Sequence, residues 1–296
     1  MERIALTSEG GARLEVLTLG AAVDAWHPAP GDGPSIVVGR SVEDRLAQAQ
    51  PYAGVVVGRY ANRIAGAAFV LDGVEHRLVA SEGTSTLHGG EEGFDRRTWQ
   101  VVERTADAVT LRLVSPDCDQ GFPGTLTATV TYTLTDDAVD VELQATTDAP
   151  TVASLASHPY LDLGRDPVLT VPASHYLPVD DDAIPLPGRA EVEGTAFDLR
   201  DGRSVGPASG FDHALVVDGA GWRRHATLTS ADGDRTVVVT SDQPCLQVYT
   251  GGPAGIALEA QREPDGPHRD LEGVVLRPGE TYRSVTRWTY EAAASR

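Results

Sequence analysis

From Leu126 to Thr135 the chain alternates without a break, with Leu126, Ala128, Val130, Tyr132 and Leu134 on one side and Thr127, Thr129, Thr131, Thr133 and Thr135 on the other. A period of two is that of a β-strand with one buried face. After Asp136 and Asp137, Val139, Val141, Leu143 and Ala145 alternate with Asp140, Glu142, Gln144 and Thr146, which predicts an antiparallel hairpin. A second hairpin is predicted around Asp72-Gly73, because that pair supplies the positive φ angles of a two-residue turn between Phe69–Leu71 and Val74–Leu78. Further strands are expected over Leu14–Ala25, Ser35–Gly39, Thr98–Val102, Val109–Val114, Ala226–Leu228, Thr236–Ser241, Leu246–Thr250 and Arg283–Tyr290. Helix signals are sparse, the best being a short segment from Ser41 to Gln48 with Ser41 as N-cap and acidic residues in its first turn.

The 31 glycines and 19 prolines are scattered among these strands, and neither a linker nor a repeat interrupts them. The expectation is one all-β domain over residues 1–296, built from packed antiparallel sheets.

Composition removes several mechanisms. The chain has no lysine, so all 24 basic side chains are arginine, and chemistry that needs a lysine amine is excluded: Schiff-base aldolases, pyridoxal enzymes and P-loop hydrolases. A formal charge of -19 disfavours nucleic acid or an anionic membrane as partner and leaves a neutral or cationic small ligand. The first residues carry no basic segment followed by an apolar run, and no apolar stretch is long enough to span a bilayer, so a cytoplasmic protein is expected. Cys118 and Cys245 are too few for a disulfide framework and lack histidines at ligand spacing, so both are read as reduced thiols.

Four segments carry candidate chemistry. Glu259 follows Ile256, Ala257 and Leu258, which predict a strand entering the core, where a glutamate is paired, protonated or used. His158 follows the apolar run Val152–Ala156, and Pro159 biases it toward an extended backbone; a satisfied buried histidine is the competing reading. His88 lies in Leu87-His88-Gly89-Gly90, where the glycines leave its ring approachable, the alternative being a histidine that decorates a turn. Asn62-Arg63 is a donor-rich pair suited to sugar hydroxyls or to a carboxylate, and equally to a surface ion pair. Asp212, before His213, is either a hydroxyl acceptor or a turn residue. Asp180, Asp181 and Asp182 lack the spaced ligand pattern of a calcium loop, and His175, His213, His225 and His268 show no metal-ligand spacing, so no metal is expected.

In order along the chain, Gly58–Ile64, Leu87–Gly90 with Gly93-Phe94-Asp95 and Trp99, Gly121-Phe122-Pro123-Gly124, Ser157–Leu163, Val192–Asp198, Phe211-Asp212-His213, Gln247–Gly251 and Leu258–Gln261 resemble motifs of the galactose mutarotase family, the aldose 1-epimerases. The resemblance covers nearly the whole chain. It implies a β-supersandwich and a cofactor-free interconversion of the α and β anomers of a free aldose. It also implies Glu259 as general base on the anomeric hydroxyl, His158 as general acid toward the ring oxygen, and Asn62, Arg63, His88, Asp212 and Gln247 as substrate-positioning residues. A cycle of this kind gives a bell-shaped pH dependence, with His158 as the expected source of the alkaline limb. The chain departs from the family's commoner residues at Ser157, Pro159, Leu161, Asp162, Ala260 and Arg262, and its segment between Gly251 and Glu259 is short.

Two other classes compete with a mutarotase: a noncatalytic carbohydrate-binding protein, against which the presence of both His158 and Glu259 argues, and a same-scaffold enzyme acting on another cyclic hemiacetal or metabolite. A phosphosugar epimerase is disfavoured by the absence of an arginine cluster or a glycine-rich phosphate loop beside the histidines.

Overall fold

A computed structural model describes residues 1–41, 44–45, 52–252 and 254–293. Its largest sheet has nine strands in the order Arg203–Ser204, Val168–Thr170, Arg223–Thr229, Arg235–Ser241, Tyr282–Ala292, Ala138–Thr147, Leu126–Leu134, Ala108–Ser115 and Gln100–Arg104. A six-stranded sheet runs Tyr160–Leu161, Ile256–Gln261, Cys245–Tyr249, Asp212–Val216, His175–Tyr176, Ala190–Glu191. Arg3–Thr7, Arg13–Leu17 and Ala22–His27 make a three-stranded sheet. Neighbouring strands in all three sheets are antiparallel, and Gly266–Arg269 and Leu271–Val274 are single-turn α-helices, as the all-β expectation requires.

The alternation read from Leu126 onward is what builds the core. Leu126, Val130, Tyr132, Val139 and Leu143 from the nine-stranded sheet join Leu161, Leu215, Leu246, Val248, Ile256 and Leu258 from the six-stranded one and Leu14, Val16 and Trp26 from the third in one buried cluster. Each such side chain contributes about 1.5–3 kcal/mol by leaving water. Tyr132 is fully buried, and its hydroxyl donates to Ala21 O at 2.8 Å, so the strand can carry a polar atom inward without leaving it unpaired. On the opposite face Arg287 and Arg283 bridge to Asp140 and Glu142 across neighbouring strands, which keeps that face polar.

Several sequence expectations change. Leu14–Ala25 is not one strand but a hairpin, because Gly20 and Ala21 both take positive φ (67° and 47°) and reverse the chain. Ser35–Gly39 forms no strand and makes only an isolated bridge, Val37 to Leu161. Arg3–Thr7 and Asp212–Val216 are strands the pattern did not single out. The Asp72-Gly73 turn is as expected, with φ of 51° and 80° joining Ala68–Leu71 to Val74–Arg77. Of the helix expected from Ser41 to Gln48, Asp44 and Arg45 are helical and the Asp44 N–H donates to Ser41 Oγ at 3.0 Å; most of the rest lies outside the described residues. No helix among the described residues is long and apolar enough to cross a membrane.

Candidate active site

The six-stranded sheet sorts its side chains by parity. Gln247 lies opposite Glu259, Ala214 opposite Gln247, Asp212 and Ala257 opposite Tyr249, and Tyr160 opposite Ala257, so these residues share one face. The alternate positions Leu161, Leu215, Leu246, Val248, Ile256 and Leu258 face the core. Extending the Tyr160–Ala257 register by two residues brings His158 opposite Glu259, and His158 Nε2 lies 3.3 Å from Glu259 Oε1. The His158 N–H donates to Val55 O and its C=O accepts from the Gly54 N–H, both at 2.9 Å, which fixes the backbone there. Its ring is stacked between Tyr52 and Tyr160, with centroids at 5.9 and 5.1 Å.

The facing wall comes from two short paired strands, Arg63–Ile64 and Thr86–Leu87. Asn62 and His88 lock them together: the His88 N–H donates to Asn62 O, and the Asn62 N–H donates to His88 Nδ1, each at 3.1 Å. Both residues sit at positive φ (65° and 50°). The next residue has to be glycine, since a Cβ on Gly89 would lie 1.9 Å from Gly58 O. Arg63 Nε and Nη2 donate to the two oxygens of Glu82, and Nη2 also lies 3.5 Å from Asp212 Oδ2. Gln247 Nε2 completes the belt by donating to Asp212 Oδ1 at 2.6 Å.

Between the walls lies a cavity of about 280 Å³ lined by these groups. It brings together all seven residues singled out from the sequence: Asn62, Arg63, His88, His158, Asp212, Gln247 and Glu259. It adds Tyr52, Glu82, Tyr160, Tyr249 and the pair Gly251-Gly252, none of which the pattern had assigned a role. Among Ser157, Pro159, Leu161, Asp162, Ala260 and Arg262, the departures from the commoner family residues, none lines the cavity. Arg262 instead lies over the Tyr282 ring, 5.9 Å from its centroid.

Burial dominates the electrostatics. It pushes the Glu259 carboxyl far above its usual range, helped by Asp212 and opposed by Arg63. The same burial holds His158 down to about 4 and His88 well below its ordinary value, His88 being lowered further by His158 and Arg63. Tyr52 rises to about 12 and stays a neutral phenol.

Although no ligand spacing is visible in the sequence, His88, His158 and Glu259 place donor atoms within 4.8 Å of one another. This donor set does not suit a cation. The Asn62 N–H occupies the Nδ1 lone pair of His88, so neutral His88 carries its proton on Nε2 and offers an N–H donor where a metal needs a lone pair. A donor N–H beside a carboxylate and an imidazole matches hydroxyl and ether oxygens.

A family model described as aldose 1-epimerase matches residues 2–289. The chain is 37% identical over 278 residues to an aldose 1-epimerase of Escherichia coli K12, covering 81% of this chain and 80% of that one. It is 32% identical to the human galactose mutarotase, with 95% and 92% of the two chains covered. Among solved structures, an aldose epimerase homologue from C. elegans superposes with a TM-score of 0.91 at 25% identity, over 99% of both chains. A galactose 1-epimerase from Lactobacillus acidophilus gives 0.88 at 28% identity, over 99% of this chain and 95% of that one. Matched along nearly all of its length in sequence and in fold, the chain belongs to the aldose 1-epimerase family of isomerases.

Proposed function

We propose that this chain acts as a single domain on a free neutral aldose, with Glu259 as the base on the anomeric hydroxyl and His158 as the acid toward the ring oxygen. The observation that carries this reading is the 3.3 Å approach of His158 Nε2 to Glu259 Oε1 in a cavity lined by the polar side chains of Asn62, Arg63, His88, Asp212 and Gln247. In the ring-opening step the O1–H proton passes to Glu259, the C1–O5 bond breaks with its electron pair going to O5, and O5 takes a proton from the His158 imidazolium. The product is an open-chain aldehyde. Rotation about C1–C2 presents its other face; the O5 hydroxyl then attacks C1, its proton returns to His158, and Glu259 gives its proton back to O1.

Through this cycle the pair holds one proton in total. The form that reacts with the closed ring is carboxylate and imidazolium, reached when the pair's proton moves from Glu259 to His158; with the open chain bound it is carboxylic acid and neutral imidazole. Burial favours the uncharged arrangement, lowering His158 and raising Glu259. Opening the ring therefore discharges the ion pair that had to form for the reaction and returns the two groups to the arrangement that burial favours. Positioned proton transfer of this kind contributes about 10² to 10⁴ in rate. Asn62, Arg63, His88, Asp212 and Gln247 hold the remaining hydroxyls. Cys118 is exposed and unpaired, a state that fits a reducing cytoplasm.

Equilibration of pure α-galactose, glucose, arabinose and xylose, followed by polarimetry against the spontaneous rates, tests the proposal. Acceleration of at least one aldose is expected. A protein that binds these sugars and never exceeds the uncatalysed rate would be a binding module.

A further inference from the structure

Arg63 is the one cation among the described residues that line the cavity, and it shares that lining with three acidic side chains, Glu82, Asp212 and the buried Glu259. An arginine that presents its fork to a ligand pocket is a bidentate receptor for carboxylate or phosphate. This one is already engaged along its Nε–Nη2 edge. Its Nε and Nη2 hydrogens point to the two oxygens of Glu82, at 2.5 and 3.1 Å, and Nη2 is shared with Asp212 at 3.5 Å. Asp212 is bound in turn by Gln247, so the contacts run as one chain from Glu82 through Arg63 and Asp212 to Gln247.

Glu82 is rigidly presented. The Ser81 and Glu82 N–H groups both donate to Ser85 O at 3.0 Å, the Ser85 N–H donates back to Glu82 O at 2.9 Å, and Gly83 turns the chain at φ 57°. Its side chain is 42% exposed, against 11% for Arg63. A half-exposed ion pair adds little to folding stability, so the consequence of this pair lies in the cavity.

We propose that Glu82 is a specificity-determining residue: by filling the Arg63 fork and adding its own charge, it makes the site reject aldoses that carry a carboxylate or phosphate and admit neutral and amino-substituted ones. The proposal rests on the mutarotase reading above and deepens it. Glu82 acts through Arg63 and is a positioning residue, and the overall charge of -19 adds a field of the same sign.

The test compares kcat/KM for galactose, galacturonic acid and galactosamine at neutral pH in the parent and in Glu82→Gln, which keeps the side chain's shape while removing its charge and one acceptor oxygen of the fork contact. In the parent, galacturonic acid is expected to be at least about tenfold poorer than galactose. In Glu82→Gln the uronate-to-galactose ratio should rise about tenfold, the galactosamine ratio should fall, and added salt should shrink both differences. A purely structural role would change all three sugars together. Unchanged ratios in Glu82→Gln, or a parent that handles the uronate as well as galactose, would overturn the proposal. Calorimetric affinities for the same three ligands read the ratio without turnover. If no aldose is accelerated, the isomerase reading falls while the charge selectivity is still decided by binding.

Discussion

His158 and Glu259 face each other at 3.3 Å, and burial has moved their proton affinities in opposite directions, the imidazole down to about 4 and the carboxyl far up. In the free protein the order of the two groups is thereby inverted. The last proton to leave the pair as pH rises is held on the glutamate side, and the second proton to arrive as pH falls goes to the histidine side.

The pH dependence of kcat/KM follows from this ordering. Activity needs one proton on the pair, so the profile should be a broad plateau through neutrality, with an acid limb near 4 and an alkaline limb well above the usual carboxylate range. The sequence alone puts the alkaline limb on His158; with both groups buried, we expect it instead from the pair's remaining proton, on the Glu259 side. A profile whose acid limb lies near 6.5, the unperturbed histidine value, would contradict this assignment.

Replacing Glu259 by Gln keeps shape and most hydrogen bonding but removes the proton acceptor. Turnover should fall by about 10² to 10⁴, with sugar affinity reduced far less. Anomer exchange by NMR and binding by calorimetry separate the two, and a variant that turns over at the parent rate would remove Glu259 from the base role. His158→Asn is expected to lose turnover to a similar extent.

Arg59 is a structural counterpart to Arg63. It is only 2% exposed, and its guanidinium donates to Ser115 Oγ and to the carbonyls of Ser115, Pro116, Pro123 and Gly124, tying the segment before Asn62 to two loops. Burial lowers it to about 10, still charged at neutral pH. Arg59→Met leaves those buried acceptors unpaired and should cost about 3 kcal/mol or more in chemical denaturation. A loss below about 1 kcal/mol would show that the loops hold without it.

His225 gives a stability prediction. It is fully buried, and burial, with the Arg223 charge, pushes it to about 3 against the weaker opposing pull of the Ser241 and Gln243 backbone. Its folded value lies below its unfolded one, so its contribution is fully present above about 6.5 and is lost as pH falls through the window down to about 3. His225→Phe should flatten the loss of stability between those limits, read as Tm against pH. An unchanged slope would mean that other groups set it; His88 and His158 act in the same direction.

The sequence was most legible where one strand face meets the core. The register of Leu126–Leu134 on Ala138–Thr147 follows directly from alternating Thr and aliphatic residues. It was less legible where a single backbone angle decides the outcome, as at Gly20 and Ala21, whose positive φ values split an apolar run that otherwise reads as continuous. Glu259 announced itself as a charge in an apolar strand. Tyr52 and Glu82 gave no such signal, because they stand in irregular segments and meet the site only through contacts distant in sequence. The Asn62 to His88 lock that fixes a ring tautomer spans 26 residues and has no local trace.

The parity of the Cys245–Tyr249 and Ile256–Gln261 strands makes the proposed catalytic surface sensitive to length before it is sensitive to identity. A substitution at Gln247 alters one contact, but one residue inserted between Ile256 and Leu258 would turn the carboxylate into the core and swing Leu258 into the cavity. Descendants of this chain can therefore vary their reach toward new sugars by lengthening the connection at residues 251–255, outside both strands, where added residues leave the phase of Glu259 untouched.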